Sequence, residues 1–159
     1  MITQEKKNCC VKPQVKTLKC DAELLDYVYQ NARMGVIGIN QVRSSVSDMD
    51  FLDLLNSHYA LYDSFVVKAQ EALRTLGEKP TDINPMAKVG SFVSSKANIA
   101  VDSTTSHIAQ MMIEGTTMGI TKLTQKLNAM PECSGEYKGL AQSLIDAEVR
   151  AVDELKKFL

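Results

Sequence analysis

The stretch Phe51–Leu76, FLDLLNSHYALYDSFVVKAQEALRTL, decides the fold. Phe51, Leu55, His58, Tyr62, Phe65, Ala69, Ala72 and Leu76 recur at alternating steps of four and three. That is the seam of a long helix packed along its whole length against other helices. His58 and Tyr62 are polar and stand near the middle of the seam, and an interior imidazole needs an interior partner. A metal ion, a carboxylate or a plain hydrogen bond would each satisfy it.

Similar seams lie on both sides. Asp21 reads as an N-cap for a first helix over 22–44, with Leu24, Val28, Asn31, Gly35, Gly38 and Val42 inward. Gly35 and Gly38 lower helix propensity, so they are read as places where a second helix comes close. Ser47 with Asp50 resembles a capping box for the second helix, 48–76, and Gly77 suits its left-handed cap. So short a connection makes these two helices antiparallel neighbours.

Gly77–Pro85 is turn chemistry, and Asn84-Pro85 opens a weaker amphipathic segment over 86–100. At ~1.5 Å per residue it would carry the chain ~24 Å back along a bundle. Asp102, Ser103 and Thr104 supply caps for a third long helix, 104–129. Its two stripes are Ile108, Met112, Gly115, Gly119, Leu123 and His107, Met111, Glu114, Met118. Ser134 caps a fourth helix, 135–157, whose seam (Tyr137, Ala141, Leu144, Glu148, Ala151, Leu155, Phe158) has one charged member, Glu148.

Composition agrees with an all-α soluble domain. Of 159 residues, 45% are hydrophobic and 23% charged, with only 8 Gly, 4 Pro and no Trp. The net charge of −1 and the lack of a basic stripe with aromatics point away from nucleic acid. No apolar run reaches membrane-spanning length, and no basic start followed by an apolar region opens the chain, so a cytoplasmic location is expected. Residues 1–19 carry five lysines against one glutamate and no helical period. Residues 1–20, with Cys9, Cys10 and Cys20, are therefore expected to be a flexible basic arm ahead of a bundle domain over 21–159. Cys133 lies in the loop before the fourth helix, and no C-x-x-C spacing marks a zinc or redox site. No phosphate-binding glycine loop and no Ser–His–Asp arrangement is present.

Two antiparallel helices, a long return and two more antiparallel helices resemble the ferritin-like four-helix bundle with one long crossover, as in bacterioferritins and rubrerythrins. The resemblance covers residues 21–159 and is similar to a small bacterial branch of that superfamily. It implies a core in which two helices each give a Glu and the other two each give Glu-x-x-His. Only part of that set stands here. Leu55-Asn56-Ser57-His58 keeps the His and has Leu for the Glu. Glu148-Val149-Arg150-Ala151 keeps the Glu and has Ala for the His. Glu114 matches a lone Glu, and Asn31 or Met34 stands where the other would be. The resemblance implies a non-catalytic binding or structural module with a degenerate site and no resident cofactor, forming a homo-oligomer, a dimer, with no nucleic-acid or membrane partner. The alternative is an iron-handling protein or oxidoreductase with a mononuclear iron, zinc or manganese site made by His58, Glu114 and Glu148. Asn31 and Tyr62 are expected in the same interior polar cluster. Met111, Met112 and Met118 are soft donors, read first as core filler.

Overall fold

A computed structural model describes residues 13–81 and 102–159. They form four long helices: α1 (Pro13–Val42), α2 (Met49–Thr75), α3 (Thr105–Ala129) and α4 (Gly135–Leu155). A 3-10 turn follows α1 at Arg43–Ser45 and another follows α4 at Lys156–Phe158. No strand occurs among the described residues. No described helix is long and apolar enough to cross a membrane.

Pairwise contacts set the helix directions. Along α1, Arg43 lies over the Tyr59 ring, Gly35 faces the Tyr62 ring, and Asp26 accepts from the Thr81 N–H. The partners rise as α1 falls, so α1 and α2 are antiparallel. Glu23 pairs with Lys126, and Asn31 meets Gly119, so α1 and α3 are antiparallel too. Asp21 meets Ser134 and Asn31 meets Glu148, so α1 and α4 are parallel. It follows that α2 and α3 are parallel. The chain leaves α2 at one end of the bundle and enters α3 at the other. The helix expected over 86–100 lies outside the described residues.

The core is the shared interior of the four helices. In α2 it is Phe51, Leu55, His58, Tyr62, Phe65, Val66, Ala69 and Leu73. The last buried position is Leu73, and Ala72 and Leu76 are only half-buried. At about 100° per residue Ala72 stands about 60° round the helix from Phe51, at the margin of the buried face, and Leu76 is the C-cap residue at the helix end. In α1 the buried run is Leu24, Leu25, Val28, Ala32, Val36, Ile39 and Val42, a wider face than one seam because α1 touches all three other helices.

Local chemistry places the ends. Asp48 caps α2, its side chain accepting from the Phe51 N–H at 3.0 Å, one residue later than a Ser47–Asp50 box. Gly77 has φ +76°, where a side chain would be strained. Gly77 and Glu78 donate back to the Arg74 and Leu73 carbonyls, both at 3.0 Å, which closes α2 with a Schellman motif. Thr104 caps α3 by accepting from the His107 N–H.

The start of α1 corrects the sequence expectation. The helix begins at Pro13, so residues 13–20 are not an aperiodic arm; residues 1–12 lie outside the described residues. Asp21 is not an N-cap. It is buried inside α1, and its carboxylate accepts from the Ser134 N–H at 2.7 Å. Beside it, Cys20 and Cys133 form a disulfide with Cα atoms 5.3 Å apart. These two anchors tie α1 to the α3–α4 turn, and that tertiary tether supports two further turns of helix. Ser134 holds the N-cap position of α4, but its hydroxyl makes no cap bond.

Candidate functional site

Each helix contributes one polar side chain to the middle of the bundle: Asn31 from α1, Tyr62 from α2, Thr116 from α3 and Glu148 from α4. Glu148 is 2% exposed. It occupies the α4 seam between Leu144 and Ala151, so its carboxyl cannot reach water. The Asn31 amide donates from Nδ2 to Glu148 Oε2 at 3.3 Å and to the Gly119 carbonyl at 3.4 Å. The Tyr62 hydroxyl lies 3.5 Å from Thr116 Oγ1 and close enough to Glu148 to bear on its titration.

Two glycines make the cluster possible. A Cβ on Gly35 would stand 2.6 Å from the Tyr62 ring. One on Gly119 would stand 2.7 Å from Asn31 Oδ1 and 3.1 Å from Glu148 Oε1. The missing side chains make room for a phenol, an amide and a carboxyl.

Burial pushes the Glu148 carboxyl up from its ordinary 4.5 to about 8, against hydrogen bonds from Asn31 and Tyr62 that favour the charged form. Burial also raises Tyr62, and the negative charge of Glu148 adds to it. At neutral pH the cluster is therefore an uncharged set of hydrogen-bonded groups with its proton on Glu148. A protonated carboxyl can donate as well as accept, which suits a site lined by a phenol and an amide.

The residues expected to share a site do not all meet. Tyr62, not His58, stands level with Glu148. His58 lies one turn away on α2 and pairs through Nε2 with Glu154 Oε2 at 2.7 Å. Glu154 is six residues beyond Glu148, ~9 Å along α4, and its side chain is 48% exposed. His58 thus finds a carboxylate at the edge of the bundle. Glu114 is exposed and accepts from Gln110 Nε2 at 2.9 Å. It precedes inward-facing Thr116 by two residues, about 200° around the helix, which turns it to solvent. Met112 is buried and Met118 is 49% exposed, so those thioethers do not face one interior point. Among the described residues, no three His, Cys, Asp or Glu side chains gather closely enough to hold a metal ion.

Sequence reasoning missed Thr116, Glu154 and the disulfide. Thr116 had a signal, since it follows Ile108 and Met112 at steps of four. The Glu154 and Cys133 partnerships had none, because each depends on helix register across the bundle. No family model, no curated protein and no solved structure matches this chain.

Proposed function

We propose that this chain is a non-catalytic, ferritin-like helical module that works by binding or by self-association as a homodimer. In this reading an uncharged hydrogen-bonded cluster stands where metal-holding members of that superfamily gather carboxylates and imidazoles. The parallel α2 and α3, which imply a long crossover, support the resemblance. The observation that carries the reading is the company Glu148 keeps: an amide, a phenol and a threonine hydroxyl, with neither a second carboxylate nor an imidazole in the cluster. Oxygen-bridged di-iron chemistry needs several carboxylates to balance the metal charge, and one neutral acid does not supply it.

The Cys20–Cys133 bond supports work in an oxidising compartment rather than the cytoplasm expected from the sequence, since such bonds persist where thiols are not kept reduced.

The test is metal content per chain after purification without chelator and again after anaerobic Fe(II) loading, for the native chain and for Glu148→Gln. The expected result is far less than one metal per chain in every sample, with the folded state kept by the variant. One metal per chain that Glu148→Gln abolishes would overturn the reading. Light scattering across a concentration series tests the dimer.

A further inference from the structure

A cavity of about 330 Å³ opens beside the disulfide, lined by Lys16, Lys19, Lys126, Glu23, Glu132 and Cys20. Its size falls in the range that takes a small molecule. Cys20, 7% exposed, lines it, and Cys133, 4% exposed, does not. Three ammonium groups face two carboxylates there, so the wall is net cationic. Lys16 and Lys126 are engaged, at 3.6 Å with Glu132 and in an ion pair with Glu23 over the Tyr27 ring. Lys19 is exposed and makes no ion pair among the described residues.

We infer that the Cys20–Cys133 bond is a reversible clamp opened by small anionic thiols that enter this cavity and attack Cys20. The thiolate bonds to Cys20 Sγ along the cavity, the Cys20–Cys133 bond breaks, and Cys133 leaves with the electron pair and takes a proton from water. The product is a mixed disulfide on Cys20. A second thiolate then attacks the sulfur of the bound thiol, releasing the Cys20 thiolate and a small-molecule disulfide. Two thiols are thereby oxidised and the protein disulfide takes up two electrons. Net positive charge at the mouth concentrates the anionic attacker and stabilises the thiolates as they form. The opened clamp removes the covalent tie between the first turns of α1 and the α3–α4 turn, where the exposed Lys16–Glu132 pair and the Asp21–Ser134 hydrogen bond remain. This inference does not rest on the role proposed for the polar cluster.

The test uses the full chain carrying Cys9→Ser and Cys10→Ser, so that the Cys20–Cys133 pair reacts alone. This variant, folded and without denaturant, is treated with limiting glutathione, trapped with N-ethylmaleimide and mapped by mass spectrometry. Glutathione on Cys20 with the alkyl group on Cys133 is expected. Rates with mercaptosuccinate and with cysteamine are then measured at low salt, each normalised to the same thiol's attack on neutral hydroxyethyl disulfide. The anionic thiol should be favoured about threefold or more, and Lys19→Glu, a surface change, should shrink that preference. An adduct found on Cys133, equal normalised rates, or reaction only in denaturant would overturn the inference.

Discussion

Glu148 concentrates the energetics of the core in one proton. An acid whose folded pKa lies above its unfolded value binds more protons when folded. The stability tied to that proton is complete below the ordinary value of 4.5 and is lost as pH rises through about 8. Denaturant unfolding between pH 5 and 9 should therefore show stability falling with pH, at up to about 1.4 kcal/mol per unit, and levelling above the folded pKa. Glu148→Gln keeps the shape and the hydrogen bonds and should flatten that slope; an unchanged slope would assign it to other groups. Glu148→Leu takes the carboxyl away from the Asn31 amide and the Tyr62 hydroxyl, leaving them the long contacts to the Gly119 carbonyl and Thr116 Oγ1, and should cost about 1–3 kcal/mol more than Gln at pH 6. The glycines give a matched pair. Gly119→Ala drives a methyl to 2.7 Å from Asn31 Oδ1 and should destabilise by about 1–3 kcal/mol. Gly139→Ala, with nothing within 4 Å of the added carbon and a helical position, should stabilise by up to about 1 kcal/mol. Equal effects at the two sites, read from urea midpoints, would remove the steric argument.

The elements were largely legible because the periodicity was sustained and the caps were chemically specific. Phe51–Phe65, Gly77, Thr104 and the α4 seam read directly as helix and helix ends. The start of α1 did not, because residues 13–19 carry lysines and little apolar period. What extends the helix there is a bond to Cys133 across 113 residues, which no local pattern encodes. The same reason hid the site. Glu148 and Tyr62 were visible as polar seam positions, but their pairing depends on a one-turn register between α2 and α4. That register gave Tyr62, not His58, to Glu148. Closing a loop of 113 residues constrains the unfolded chain, and on a chain-entropy model this is worth about 3–5 kcal/mol. Cys20→Ala with Cys133→Ala should lower stability by that amount in urea titration. A loss below about 1 kcal/mol would mean that the Asp21–Ser134 contact and the packing of α1 already fix the end.

Across the whole molecule, three sets of contacts lie at different heights. The disulfide and the Asp21–Ser134 bond join α1 to the α3–α4 turn at one end. The Asn31–Tyr62–Thr116–Glu148 cluster joins all four helices at the middle. At the other end the Phe51 and Phe158 rings, 4.9 Å apart, join the start of α2 to the end of the chain. Neither hairpin can leave without breaking the middle set, since α1 and α2 supply Asn31 and Tyr62 while α3 and α4 supply Thr116 and Glu148. Opening one hairpin strands buried polar groups on both sides, so partial unfolding is about as costly as complete unfolding. The described interior should therefore open as one cooperative unit. Native-state hydrogen exchange should give amides near Ala32, Tyr62, Thr116 and Glu148 the same opening free energy, within about 1 kcal/mol of the global value. Glu148→Leu should lower all four together. If α3 and α4 exchange through a cheaper opening while α1 and α2 stay protected, the cluster does not couple the hairpins, and the bundle is two helical pairs held chiefly by the disulfide.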